Sequence, residues 1–283
     1  MNATTPRPRA YVLGAEMRDA RRKSGLTLRG LAAILDVSHS VLVRWERGDR
    51  VPSAESVSAV CAVLGVSATT RNRLLKLTRE AAAEPVRAPA PRGPAETDQL
   101  GALLEFERTA TAITNVSPTV VPPLLQTADY ARAIEDAGDP EGADKRVALR
   151  LGRREVVTRK RSAPGYTALI LESALHLPVG GRGVLLDQLA FLLEIGRHEK
   201  VDIQVVPLSA GWTPAQSGPF VLLEFAKAPP VVHLEHHRCA RFVQESDDVA
   251  GYVEARDHIA RHALPPADSA TLIKQLIAHE EAA

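Results

Sequence analysis

The stretch "VSHSVLVRWERGDRVP", Val37–Pro52, decides how the front of this chain is read. Arginines, a tryptophan and several aliphatic residues are crowded together there, too basic for a core and too apolar for a plain surface. Taking Ser38 as an N-cap and projecting the following residues at about 100° each resolves the conflict. His39, Ser40, Val43, Arg44 and Arg47 then fall within an arc of roughly 140°, while Val41, Leu42, Trp45 and Glu46 lie opposite. One face is apolar and anchored; the other is short, polar and basic. Val37, just ahead of the cap, can pack on Leu42 as a hydrophobic staple that sets the angle at which the chain enters the helix.

The preceding "LRGLAAIL", Leu28–Leu35, reads as a second short helix, whose small Gly30, Ala32 and Ala33 would let the two helices cross closely. Such a helix-turn-helix is about the smallest rigid unit that can push a helix into a major groove about 12 Å wide. Five short helical patterns are predicted before residue 82: Tyr11–Lys23, Leu28–Leu35, His39–Arg47, Ala54–Leu64 and Thr70–Glu80. Thr27, Ser38 and Ser53 are N-cap candidates, and Gly25, Gly48 and Gly65 stand just beyond helix ends. On this reading Arg44, His39 and Ser40 face base edges, with Val43 beside them, while Arg29, Arg47 and Arg50 face phosphates. Thr27 and Ser38 complete the expected DNA-facing set.

Charge supports a polyanion partner for this half. Residues 1–82 hold 14 Lys or Arg against 7 Asp or Glu, whereas residues 99–283 hold 19 against 24. A basic front and an acidic back point to a nucleic-acid-binding module attached to something else. Between them "AAAEPVRAPAPRGPAETD", Ala81–Asp98, is rich in Ala and Pro without apolar periodicity and reads as a linker. The expected organisation is an all-α five-helix domain over 9–82, a linker over 83–98 and an α+β domain over 99–283.

Behind the linker, helical patterns at Leu100–Ile113, Thr127–Glu135 and Asp144–Arg159 lead into the strand-like "YTALILE", Tyr166–Glu172. After the helical "GVLLDQLAFLLEIGR" come the strand candidates "VDIQVVPL", "FVLLEFA", "VVHLEH" and "ARFVQE". Helices near Asp247–His262 and Ser269–Glu280 close the chain. These elements imply a small antiparallel or mixed sheet flanked by helices. Nothing approaches the roughly 18 consecutive apolar residues of a membrane span, and no signal peptide is read, so the expected setting is cytoplasmic, with no membrane partner. Cys61 and Cys239 lie too far apart in sequence to suggest a disulfide framework.

Gly25-Leu26-Thr27, Val37-Ser38, Trp45-Glu46, Gly48 and Pro52 together resemble the Cro/cI-like helix-turn-helix domains of the XRE family, over about Arg9–Leu77. The resemblance implies a DNA-binding transcription regulator, and an ion pair between Glu46 of the recognition helix and Arg21 of the first helix. An acid on a DNA-facing domain needs such a neutralising partner. Asp36 stands where the family has a turn glycine, and Asp is among the residues enriched at positive φ. The second half resembles the C-terminal domain of unknown function of WhiJ-like actinomycete regulators. The segments that carry this are "VPPLLQTADYARA", "RLGRRE", "LILESALHLPVGG", "LLDQLAFLLE", "VDIQVVPLSAG", "SGPFVLLEF", "VVHLEH" and "SATLI". That resemblance implies a regulator, often paired with a small protein partner encoded nearby, that answers to an unknown effector.

Three places in the acidic half offer candidate sites. In "HLEHHRCARF", strand alternation puts His233, Glu235 and His237 on one face with Cys239 following; incidental histidines on an edge strand explain this better than a metal site, and none is predicted. The loop "LSAGWTPAQSGPF" sets Trp212 between glycines and prolines, as a lid over a pocket or as an ordinary connection between strands. Arg146, Arg150 and Arg153 or Arg154 stack at helical spacing and could hold a carboxylate or phosphate, although pairing with acids on a solvated face is the commoner outcome. Arg150, Arg154, Trp212 and Glu235 are the effector-site candidates. No nucleophile elbow, P-loop, HExxH or GxGxxG is present, so neither catalysis nor a cofactor is expected. A homodimer on a double-stranded operator is expected, because one helix-turn-helix buries too little surface for operator-level affinity.

Overall fold

The computed structural model describes residues 8–83, 95–138, 141–159, 161–236 and 239–282. The chain divides into two compact units: Met1–Thr109 with Phe225–Pro229, and Ala110–Glu224 with Pro230–Ala283.

The first unit is helical: α1 (Pro8–Lys23), α2 (Leu28–Ile34), α3 (His39–Arg47), α4 (Ala54–Leu64), α5 (Ala68–Ala83) and α6 (Ala95–Thr109). The five predicted helices are α1–α5. Their apolar stripes meet in one core of Leu13, Met17, Leu31, Leu42, Trp45, Val57, Val60, Leu64 and Leu74. Thr27 and Ser53 cap α2 and α4, accepting bonds from the Gly30 and Ser56 amides. Gly48 and Gly65 end α3 and α4 in the left-handed conformation that L side chains disfavour. Buried Glu16 of α1 receives Arg73 of α5 at 2.6 Å. Within this unit α6 lies on α1: Arg9 meets Glu105 at 3.2 Å, and the Tyr11 and Phe106 rings pack edge to face.

The second unit is a six-stranded mixed sheet with helices on its faces. Its elements are β1 (Ala112–Ser117), α7 (Ala128–Gly138), α8 (Ala143–Arg153), α9 (Glu155–Thr158), β2 (Gly165–Leu171), α10 (Glu172–His176), α11 (Arg182–Ile195), β3 (Val201–Val206), β4 (Phe220–Glu224), β5 (Val231–His236), β6 (Cys239–Val243), α12 (Ser246–His262) and α13 (Pro266–Ala282). Strand order is β3-β2-β1-β4-β5-β6, parallel on the β3-β2-β1 side and antiparallel from β1 through β6. One face is apolar: Val116, Leu169, Leu222, Val232 and Val243 close against Val249 and Ile259 of α12.

The central strand is the one that sequence periodicity misses. The helix predicted over Leu100–Ile113 ends at Thr109, and Ala112–Ser117 is β1. Flanked by β2 and β4 and covered on both faces, β1 has no solvent side, so no alternation marks it.

Candidate nucleic-acid interface

Helix α3 is held from inside and open outside. Leu42, Trp45 and Glu46 are buried, while His39, Ser40, Arg44 and Arg47 are exposed and Val43 is half-buried. Arg29 at the start of α2 and Arg50 beyond α3 are exposed too, as are Thr27 and Ser38. The expected DNA-facing residues thus line the outer side of α2, α3 and the turn after them.

Three groups on α1 fasten the C-terminal end of α3. Arg21 grips the buried Glu46 carboxylate with two bonds, Nε to Oε1 at 2.6 Å and Nη2 to Oε2 at 2.9 Å. The Glu46 bond raises the guanidinium's already high pKa. Arg21 also donates to the Leu26 carbonyl, tying the α1–α2 loop to the same anchor. Arg18 donates to the Glu46 carbonyl at 2.6 Å, a cation at the negative end of the helix dipole. Gly14 is the third: a Cβ there would stand 2.4 Å from the Trp45 carbonyl oxygen and 2.7 Å from that of Glu46. The close crossing is therefore α1 on α3 at Gly14. At Gly30 a Cβ would meet Thr27 Oγ1 at 3.3 Å and Leu26 Cδ2 at 3.9 Å, and Ala33 is exposed, so of the three small residues of α2 Ala32 alone lies in the core with Leu42.

The turn between α2 and α3 fits its sequence. Asp36 takes φ 53, and the Val37 amide donates back to Ala32, closing α2 with a left-handed residue that is not glycine. Val37 then packs on the core that holds Leu42, as a staple would. Ser38 occupies the N-cap position with extended backbone, but its side chain makes no cap bond. Its hydroxyl lies 3.0 Å from that of Ser40 instead. Among the described residues no side chain caps the first amides of α3, and the Val41 amide bonds the Ser38 carbonyl at 3.0 Å. At the other end the Arg50 amide bonds the Arg44 carbonyl at 3.2 Å, and Arg47 lies 3.6 Å from Asp49.

In the second unit the arginine series is built into the scaffold. Arg146 and Arg150 share the Glu135 carboxylate, and Arg150 also reaches the Gln126 side chain at 2.9 Å. Arg154 donates to the Gln126 carbonyl and lies over the Phe191 ring, 4.5 Å from its centroid; burial lowers its pKa. Gln126 donates to the Val121 carbonyl, and Gln188 of α11 bonds both the Leu125 carbonyl and the Thr127 amide. The network pins the segment 121–127 to α7, α8 and α11. Among the described residues no bond joins Arg150 or Arg154 to Trp212 or Glu235.

Trp212 is 71% exposed, on a loop braced by Thr213 and Gln216 and by Glu172, which accepts the Leu208 amide at 2.7 Å. Glu235 is exposed on β5, while His233 on the same face is buried against Phe242. His237 lies outside the described residues. Among the described residues no three metal-ligand side chains assemble. Nor, among them, is any helix long and apolar enough to cross a membrane.

Comparison with known proteins agrees with both halves. Residues 12–74 match a helix-turn-helix domain model, and residues 100–275 match the model described as domain of unknown function DUF5753. An uncharacterized HTH-type transcriptional regulator of Bacillus subtilis (strain 168), YazB, is 39% identical over 59 residues, which are 21% of this chain and 86% of that protein. No solved structure matches. The class is that of DNA-binding helix-turn-helix regulators. Within it, this chain belongs to the DUF5753 family, with the helix-turn-helix in front of the family's domain.

Proposed function

We propose that this protein is a sequence-specific transcription regulator acting as a dimer in the cytoplasm, without catalysis or cofactor. Residues 9–82 read DNA, 83–98 connect, and 99–283 regulate. In this reading α3 enters the major groove with His39, Ser40 and Arg44 toward base edges and Val43 beside them. Arg29, Arg47 and Arg50 hold phosphates, and Thr27 and Ser38 bring helix N-termini to the backbone. The observation that carries it is the division of α3 into a buried Leu42-Trp45-Glu46 side and an exposed His39-Ser40-Arg44-Arg47 side. Two copies would meet half-sites about 34 Å apart.

The test is to select an operator from random duplexes with the full chain and then compare Arg44→Ala on operator and random DNA by fluorescence anisotropy. A bidentate arginine–guanine contact is worth about 1–3 kcal/mol of discrimination, so the operator's advantage falls by roughly ten- to hundredfold while random-DNA affinity changes little. Equal losses on both would overturn the assignment of Arg44.

The regulatory half acts by sensing a small ligand or by binding a protein partner. The partner reading, in which DNA contact is subordinate to sequestration, is favoured by the exposed Trp212 and Leu208 on a braced loop. A stoichiometric product of a neighbouring gene in a pull-down, lost in Trp212→Ala, supports that version; co-purification unaffected by the substitution removes Trp212 from it.

A further inference from the structure

The first unit is not continuous in sequence. It takes in Phe225–Pro229, the loop between β4 and β5, although both strands belong to the second unit. Loops between strands ordinarily run over the surface. This one is held by α1 and α6. The Phe225 ring lies 5.8 Å from that of Phe106, the Phe106 ring lies 6.1 Å from that of Tyr11, and the Tyr11 hydroxyl donates to the Pro229 carbonyl at 3.4 Å. Phe106 and Tyr11 are buried, and ring pairs at these separations attract beyond the area they cover. Glu105, one residue before Phe106, takes Arg9 of α1 at 3.2 Å and Arg108 of α6 at 2.6 Å, which fixes α6 along α1.

Tyr11 leads on to α3. Gly48, which ends α3, is pressed against the first turns of α1: a Cβ there would stand 2.6 Å from the Tyr11 Cα and 2.7 Å from its nitrogen. Backbone lies on backbone at this point, with no side chain to give way, so a shift of α1 is passed to the end of α3. The turn that begins at Gly48 carries Arg50, whose amide bonds the Arg44 carbonyl at 3.2 Å.

Phe106 and Phe225 also stand at the near ends of two paired strands. Helix α6 ends at Thr109 and β1 begins at Ala112; Glu224 closes β4, and Phe225 follows it directly. Thr111 gives both its amide and its hydroxyl to the Glu224 carbonyl, at 2.8 and 3.1 Å, and so clamps the two chain segments together just before they reach the rings. Each ring contact lies within the first unit; what joins the rings to β1 and β4 is the chain itself.

We propose that Phe225, Phe106 and Tyr11 position the turn after α3, so that the β1–β4 pair sets how firmly Arg50 and the C-terminal end of α3 are held for DNA. The inference rests on the reading of residues 99–283 as regulatory and gives that regulation a route. Whatever shifts β1 or β4 reaches the recognition helix through three rings and Gly48, without touching it.

The experiment is hydrogen exchange of the full chain followed by mass spectrometry. Phe225→Ala speeds exchange over 44–51, where the Gly48 and Arg50 amides bond the Trp45 and Arg44 carbonyls, by about threefold or more, and leaves α4 as it was. Unchanged exchange overturns the relay; so does a rise that extends over α4, because general loosening of the fold would produce it. Two glycines inserted between Glu224 and Phe225 keep all three rings and slacken only the tie to β4. They raise exchange over the same segment, and no rise there overturns the link to the sheet. Tyr11→Phe, which removes the hydroxyl bond to Pro229, replaces Phe225→Ala if far-UV circular dichroism shows that variant unfolded.

Operator affinity separates the relay from the DNA reading. Losses from Phe225→Ala and Arg50→Ala combine to less than their product by about threefold or more, whereas those from Phe225→Ala and Arg29→Ala on α2 multiply. Multiplied losses in both pairs overturn the relay's part in DNA binding. A chain that selects no operator overturns the DNA reading alone, and the exchange result then decides the relay.

Discussion

Helix α3 and helix α8 both present arginines at helical spacing, and the two sets end in opposite roles. On α8 and just after it, Arg146, Arg150 and Arg154 find Glu135, Gln126 and Phe191 within the fold and become struts. On α3 and in the turn behind it, Arg44 and Arg50 stay exposed and Arg47 is exposed beside Asp49, while the acid of the helix, Glu46, is turned inward to Arg21. An arginine becomes part of the scaffold when an acceptor lies within reach on a neighbouring element. It stays available to an outside anion when its own domain has already neutralised the nearby acid. Counting arginines does not separate these cases; their partners do.

Breaking the inward half of this comparison has the largest effect. Glu46→Ala strands the Arg21 guanidinium in a site where both side chains are nearly covered, and removing one partner of a buried pair costs about 3–5 kcal/mol. The chain has two tryptophans, Trp45 buried and Trp212 exposed, so emission in a Trp212→Phe background reports the first unit. Glu46→Ala lowers the urea midpoint of that signal strongly; an unchanged midpoint removes the anchor role.

Gly14→Ala comes next. The added methyl meets backbone carbonyls that cannot swing aside, and overpacking of this kind costs about 1–3 kcal/mol. The same signal reads it, and Gly30→Ala serves as the control, with little loss expected.

Arg150→Ala tests the scaffold side. It removes bonds to Glu135 and Gln126 and lowers stability of the second unit by about 2 kcal/mol, measured by thermal unfolding followed by circular dichroism. Anisotropy on the operator is unaffected at temperatures where the variant is folded. A selective loss of DNA binding in a folded Arg150→Ala would erase the distinction between the two arginine sets. The smallest effect belongs to Arg50→Ala, which weakens operator and random DNA alike and flattens the slope of log affinity against log salt by about 1.

Much of the first unit was legible because its determinants are local. Thr27, Ser53, Gly48 and Gly65 act within a few residues of themselves, and the outer and inner faces of α3 follow from one period. Even there, local reading missed one small residue that matters. Gly30 lies beside its own cap, while Gly14, more than twenty residues before the end of α3, is the point of close approach. Ser38 likewise sits where a cap belongs and turns its hydroxyl to Ser40.

In the second unit β2 through β6 were visible as apolar runs, but β1 was read as the tail of a helix. Thr114, Asn115 and Ser117 interrupt its hydrophobicity, and burial on both faces removes the alternation that marks a half-exposed strand. Strand order was out of reach for a related reason: β1 pairs parallel with a strand some fifty residues on and antiparallel with one over a hundred residues on. No short window contains both partners.

The sequence by itself determined the amphipathic recognition helix, its flanking caps, the left-handed Asp36 turn, the Arg21–Glu46 pairing and the change from a basic helical front to an acidic α+β back. Each depends on neighbours a few residues away, on net composition or on a resemblance carried by quoted motifs. Only the tertiary structure decided which arginines are struts, which glycine admits α3, which strand is central, and that Phe225, just past β4, packs on Phe106 beside Tyr11. Those outcomes depend on pairing between distant segments, where what a side chain meets is set by packing and strand register, to which local periodicity is blind.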